Sequence, residues 1–440
     1  MTLSKSVFRI NESDSIETAL DTIKSEGGGH LILSKGQYKT SGISLCSNLT
    51  LELESGSVLT FTDDPNDYPP IWTRWEGVEC FAMKPLIYAD DVENVAIIGS
   101  GIIDGNGRKW WEMFADIESE NRTQPREAYE LRLAALNPDY GSRTGGGARP
   151  STQFLRPPLI QFWKSQNIKI QGVTIQNSPF WTLHTVYSQE ISIDQVTIYN
   201  PHDAINTDAI DIDSCRNVRI TNSIFDVGDD AITLKSGSGA DGLRINRPTE
   251  EVQVNNCKIL ASHGGIAIGS ETAGGIKNVM VTDCEFQGTQ RGIRLKSRRG
   301  RGGIIENIHL KNLVMTGCWC PIVLGMYFAP GVLPHERKVI LNPEMEQKTA
   351  TTPSIRNIII DNLQADQVRS TAAFIVGLPE SKIENVDITN FSWSLAAEEE
   401  LLDTSNTEPT EGLFHDNDRG IKTINVSHLT INGVEIKTCS

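Results

Sequence analysis

The chain has 440 residues, 22% of them charged, and a formal net charge of −16. So acidic a balance argues against nucleic acid as a partner, and no apolar run is long enough to span a bilayer. Met1-Thr-Leu-Ser-Lys-Ser-Val-Phe8 leads into no long apolar stretch, so no secretory signal is expected and the setting is expected to be cytoplasmic.

In chain order, the first element is a short helix. Ile16, Ala19, Leu20 and Ile23 fall at i, i+3, i+4 and i+7. Asp14 and Glu17 mark its start, and Gly27-Gly28-Gly29 its end. Residues 1–50 are thus expected to hold a cap and a first coil. A strand signature then recurs: Asn94-Val-Ala-Ile, Asn167-Ile-Lys-Ile, Glu190-Ile-Ser-Ile, Asn217-Val-Arg-Ile, Glu251-Val-Gln-Val, Asn278-Val-Met-Val, Asn307-Ile-His-Leu, Asn357-Ile-Ile-Ile, Asn385-Val-Asp-Ile and Asn425-Val-Ser-His. Its tightest spacings are 23 (190−167) and 27 (217−190, 278−251) residues. Short β-branched strands at this period, with Asn or Gly at corners, predict an all-β fold, a parallel β-helix forming one solenoid domain over residues 1–440. A β-sandwich would need hairpin turns every 8–12 residues or so, and these are scarce. The eight cysteines form no CxxC pair and are expected to be reduced and buried. Cys257 and Cys284 should occupy equivalent places in neighbouring coils; Cys318 and Cys320, flanking one Trp, make a weak metal signal.

Three stretches break the repeat: 105–157, with Trp110, Trp111 and the flexible Gly145-Gly146-Gly147; 327–353, with Pro330, Pro334 and Pro343; and the acidic, polar 394–420. They are expected to be surface loops that shape a cleft.

Four segments align in a column: Asp208-Ala-Ile-Asp-Ile-Asp-Ser214, Asp230-Ala-Ile-Thr-Leu-Lys-Ser236, Gly264-Gly-Ile-Ala-Ile-Gly-Ser270 and Arg291-Gly-Ile-Arg-Leu-Lys-Ser297. Equivalent residues on successive coils lie about 4.8 Å apart, so Asp208 and Asp230 should stack, with Asp229 leaving the backbone in another direction. Three carboxyl groups in unequal environments suit acid–base chemistry. Between Phe286 and Ile305 stand six basic residues, Arg291, Arg294, Lys296, Arg298, Arg299 and Arg301, and no acidic one. Such a cluster in an acidic chain implies an anionic ligand. Arg294 should lie on the order of 10 Å from the coil of Asp230. Three aspartates could hold calcium, but the neighbouring Arg and Lys oppose a divalent cation, so neither metal nor cofactor is expected. Asp213 aligns with Lys235 and is expected to pair with it; Asp211 and Asp213 are given structural roles.

The motifs Asn206-Thr-Asp208, Gly228-Asp-Asp230, His263-Gly264 and Arg294-Leu-Lys296, in this order, resemble glycoside hydrolase family 28, the polygalacturonases and rhamnogalacturonan hydrolases. The resemblance runs from about residue 90 to 330. It implies a right-handed β-helix and hydrolysis of galacturonate-containing (pectic) saccharides with inversion. By motif position Asp229 would be the general acid, Asp208 and Asp230 the pair that activates water, and His263 the residue that orients the acid. Acid and base in such enzymes stand about 6.5–9.5 Å apart. Asn206 belongs to the binding set, and Arg294 and Lys296 would hold the substrate carboxylate. Tyr327, in Gly325-Met-Tyr-Phe328, sits where the family often has a substrate-contacting tyrosine. The insertion Gly237–Arg247, the Ser262-His-Gly-Gly265 motif and Leu295 resemble bacterial, often exo-acting members, including those cutting rhamnogalacturonan or xylogalacturonan. A polysaccharide lyase on the same scaffold and a non-catalytic carbohydrate-binding β-helix are the alternatives.

Overall fold

A computed structural model of the chain describes residues 6–143, 147–150, 153–408, 410, 413 and 417–436. The strands wind into a right-handed parallel β-helix. One wall is an eleven-stranded parallel sheet from Ile43–Ser44 to Ile421–Ile424, each strand paired with those of the coils before and after it. The remaining coil strands form a continuous 21-stranded sheet around the other sides. Side chains alternate along each strand, and the inward set stacks into one apolar core running from Ile10 to Ile431.

The recurring Asn/Glu signature marks a corner of the coil. Asn94, Asn167, Glu190, Asn217, Glu251, Asn278, Asn307, Asn357, Asn385 and Asn425 all have φ between +52° and +58°, a region Asn tolerates better than most residues. Stacking turns these corners into a ladder. Asn167 Nδ2 donates to Asn94 Oδ1 at 2.7 Å, Asn307 to Asn278 at 3.1 Å and Asn385 to Asn357 at 3.1 Å. Each such bond contributes ~0.5–1.5 kcal/mol, and together they hold the register of the coils.

The amino-terminal helix spans Ile16–Ser25 and buries Ile16, Ala19, Leu20 and Ile23. Its cap is Ser15, whose hydroxyl accepts from Thr18 N at 3.1 Å, one residue after the expected Asp14. Gly27, at φ +79°, turns the chain away from the helix.

Segment 105–157 is more than a loop. It carries helices Arg108–Ser119 and Ala128–Leu136, the first burying Trp110, Phe114 and Ile117. Residues 237–247 include the helix Gly239–Ile245. Segment 327–353 has only the short helix Arg337–Ile340, and 394–420 has the 3-10 turns Glu398–Glu400 and Thr404–Asn406. Gly145, Gly146 and Cys439 lie outside the described residues. The seven described cysteines are free, all buried except Cys46. The register Val254↔Val281 stacks Cys257 over Cys284 as expected. Cys318 and Cys320 are both buried, with Thr289 Oγ1 2.9 Å from the Cys318 sulfur, and among the described residues neither belongs to a group of three or more potential metal ligands. No described helix is long and apolar enough to cross a membrane.

Candidate active site

Strands Ile210–Asp213, Ile232–Lys235, Gly264–Gly269 and Arg291–Lys296 are successive rungs of the eleven-stranded sheet. Their partners are Ile210↔Ile232, Ile232↔Ile266 and Ile266↔Ile293, the column read from the sequence. Just before these strands, Ala209 N donates to Asp230 O at 3.0 Å, so Asp208 and Asp230 sit on adjacent rungs. A Cβ on Gly228 would meet the carbonyls of Pro201 and Ala204 at 2.6 Å; glycine there lets the turn 201–207 lie against the aspartates.

The site forms in a cleft of about 660 Å³ lined by Asn206, Asp208, Asp229, His263, Arg294 and Lys296, with Phe114 and Glu118 from the first inserted helix and Phe328 and Pro330 from segment 327–353. Asp208, Asp229 and Asp230 each offer an oxygen within 4.8 Å of the others. This is closer than the acid–base gap expected for inversion. Asp208 is 3% exposed and Asp230 fully buried, while Asp229 reaches the cleft. His263 lies beside it, with Nδ1 3.3 Å from Asp229 Oδ1 and its backbone N bonded to Asp229 O at 2.9 Å.

The environments of the stacked pair diverge. Burial opposes ionisation of Asp230, but Lys296 Nζ at 2.5 Å and Arg294 Nη1 at 3.3 Å outweigh it and hold the carboxyl below the ordinary range. Burial, then the charges of Asp229 and Asp211, hold Asp208 above that range. Three like charges this close in a water-poor site do not all ionise. Asp230 remains the fixed anion, and Asp208 is the carboxyl held toward its protonated form. The three oxygens could ligate a cation by distance, but two cationic side chains already hold Asp230, which opposes a divalent ion there.

The cationic pair departs from expectation. Arg294 does not stand about 10 Å from the aspartate coil: its side chain and that of Lys296 reach back over the intervening rung, where Gly264, Ala267 and Gly269 are small. Arg294 is also held from the other side. Its Nη2 and Nε donate to Glu408 at 2.9 and 3.2 Å, and Glu408 lies 3.4 Å from Arg291 Nε. Glu408, buried at 3% exposure, is a site residue that the sequence reading missed. So is Arg156. This fully buried guanidinium donates to Pro179 O at 2.9 Å, Ile205 O at 2.8 Å and Asn206 Oδ1 at 2.9 Å, and lies over the Phe114 ring at 4.1 Å. It ties the first inserted helix to the turn bearing Asn206.

Two assignments are corrected. Tyr327 does not line the cleft; it is 2% exposed and packs in the core, with Arg299 5.5 Å from its ring centroid. Tyr327 forms a backbone bridge with Arg298, and a one-residue step exchanges faces. Phe328 faces the cleft instead, its ring 5.2 Å from Lys296 Nζ and 5.5 Å from the Arg294 guanidinium. Asp213 is level with Lys235 but pairs with Arg74 at 2.8 Å, while Lys235 takes Glu271 at 3.0 Å and lies 3.8 Å from Asp211.

Comparison with known proteins places this geometry in a family. A "Probable polygalacturonase" of Vitis vinifera is 29% identical over 88% of this chain and 71% of its own length. An "Exo-poly-alpha-D-galacturonosidase" of Dickeya chrysanthemi is 25% identical over 86% of this chain and 68% of its own. The crystal structure of a hyperthermoactive exopolygalacturonase from Thermotoga maritima superposes with a TM-score of 0.74 at 27% identity, covering 99% of this chain and 94% of that one. The family model described as "Glycosyl hydrolases family 28" matches residues 145–392, more than half of the sequence, and the chain belongs to that family of glycoside hydrolases.

Proposed function

We propose that the enzyme hydrolyses galacturonate-containing (pectic) saccharides from a chain end, with inversion at the anomeric carbon. The observation carrying this reading is the cluster of Asp208, Asp229 and Asp230 oxygens within 4.8 Å, at a cleft where Arg294 and Lys296 bring positive charge. Asp229, the most accessible of the three, protonates the glycosidic oxygen while His263 orients it. Asp208 and Asp230 hold the attacking water between them, and Asp230, the carboxyl kept ionised, draws its proton. Lys296 and Arg294 then act in two ways: they keep Asp230 ionised and they favour an anionic sugar in the cleft.

The short carboxyl spacing favours a second reading, double displacement with retention, for which about 5–5.5 Å is usual. Burial weighs against it. Asp230 is sealed and locked by Lys296, and Asp208 is 3% exposed, so a water reaches this pair more readily than an anomeric carbon does. Exo action is supported by the names of two similar proteins and by the inserted helix and segment 327–353 that wall the cleft. A reducing compartment goes with the free, buried thiols; full activity in millimolar reductant is its test.

Digestion of defined pectic oligosaccharides, with the released anomer followed by NMR, tests the reading. The β-anomer appearing first from an α-linked galacturonide supports inversion; the α-anomer first would establish retention. No release from any uronate-containing oligosaccharide would end the proposal. Rapid loss of polymer viscosity with few new reducing ends would overturn exo action.

A further inference from the structure

Beside the catalytic cleft lies a second cavity of about 370 Å³, and Arg301 lines both. Three guanidiniums gather near this junction, and their partners are unequal. Arg149 is bound to Glu76. Arg298, 3% exposed, spends its hydrogen bonds on the carbonyls of Phe328 (3.2 Å), Pro330 (2.5 Å) and Gly331 (3.4 Å), and among the described residues no carboxylate lies within 4.0 Å of it. That explains Arg298 as the anchor of segment 328–331. It does not explain Arg301.

Arg301 is 5% exposed and donates from Nη1 to the Ser238 hydroxyl. Its nearest carboxylate, Glu271, is 3.9 Å away and lies closer to Lys235, at 3.0 Å. Its Nε is buried without an acceptor among the described residues. The other acidic groups lining the cavity are Glu79 and Asp241, held by Arg244 at 2.6 and 2.7 Å, Asp139, held by Arg143 at 2.6 Å, and Glu336, which accepts from Leu333 N at 3.2 Å and lies beyond 4.0 Å from Arg301. A buried guanidinium with an open N–H and no close anion is costly. A carboxylate has the two acceptors its fork requires. Burial pushes Arg301 below its usual value despite the charges of Glu271, Glu76 and Glu336.

We propose that Arg301, flanked by Arg149 and Arg298, binds the carboxylate of a third uronate, beyond the two sugars that flank the cleaved bond; this rests on the uronate-substrate reading above. Glu271 lies 3.9 Å from Arg301 and feels the charge of Lys296 as well, whereas Lys296 itself is committed to Asp230 at 2.5 Å.

The test compares digalacturonate with trigalacturonate, using wild-type enzyme, Arg301→Gln and Arg301→Lys. The glutamine variant is expected to raise KM for the trimer at least ten-fold more than for the dimer, with kcat on the trimer changed less than about three-fold, and lysine is expected to recover part of the loss. Trimers methyl-esterified at one terminal uronate or the other, compared in wild-type enzyme and Arg301→Gln, localise the contact: one of the two esters should raise KM about ten-fold in wild-type enzyme and raise it no further in the variant. An unchanged trimer-to-dimer ratio in the variant, or two equally good ester substrates, would overturn the third-uronate site while leaving the hydrolase reading intact. Failure of wild-type enzyme to cleave either galacturonide would remove the substrate reading and this site with it.

Discussion

Replacing Glu408 with alanine isolates the least expected part of the site. The side chain is 3% exposed and bridges Arg294, at 2.9 and 3.2 Å, to Arg291, at 3.4 Å. Without it, Asp230, already held by Lys296 at 2.5 Å, is the one carboxylate left within salt-bridge range of Arg294 among the described residues. Among those residues, three buried cations would then share a single anion. Breaking a buried ion pair from one side costs ~3–5 kcal/mol, because the partner is left charged and desolvated. Glu408→Ala should lose stability in that range. Glu408→Gln, which keeps the shape and one acceptor oxygen, should lie between it and wild type. Urea denaturation followed by circular dichroism reads the loss. Hydrogen exchange at the amides of Arg291–Lys296 localises it, since coils of a solenoid open with their neighbours. A loss below ~1 kcal/mol, typical of an exposed pair, would refute the claim that Glu408 neutralises this cluster.

Other expectations follow from the same geometry. A carboxyl whose pKa is raised by folding binds more protons in the folded state, so Asp208 lowers stability as pH rises from about 3.9 through its folded value. Asp208→Asn should therefore be more stable than wild type at pH 7, nearly equal to it at pH 4, and inactive; equal stability at both pH values would contradict the assigned environment. Asp230 has the opposite sign: its depressed value contributes stability above about pH 3.9 that is lost only as pH falls through the folded value. Lys296→Met should move that loss to higher pH, and an unmoved acid transition would refute the pairing. Gly264→Ala would place a Cβ 2.6 Å from Asp230 Oδ1 and 3.1 Å from Arg294 Cδ; kcat should fall while the circular dichroism spectrum persists, and wild-type kcat would show that the site can shift. Arg156→Met leaves three acceptors without their donor, at ~1–3 kcal/mol each where they stay buried, so denaturation should reveal a clear loss of stability; none would mean that the inserted helix docks without it.

The rungs were legible because the apolar pairs Ile210/Ile212, Ile232/Leu234, Ile266/Ile268 and Ile293/Leu295 leave no other register in which every coil fills the core. Asp208 and Asp230 followed from that register. Glu408 was not legible: it meets Arg294 across 114 residues, through a segment with no repeat to place it. Tyr327 failed for a local reason. The repeat loses its alternation once the chain leaves Cys320–Gly325, and the next aromatic, Phe328, takes the cleft. The reach of Lys296 and Arg294 depends on small residues one rung below, a packing relation that strand spacing alone does not reveal. Helix Arg108–Ser119 could have been found, since Trp110, Phe114 and Ile117 carry helical spacing.

The central claim, that Asp229 is the acid in a three-carboxyl cluster that cleaves a glycosidic bond, is tested most directly by the turnover of Asp229→Asn on trigalacturonate. A folded variant with kcat reduced by ~10³-fold or more, within or beyond the usual contribution of general acid catalysis, is the predicted result. A folded variant that turns over within a few-fold of wild type would contradict it.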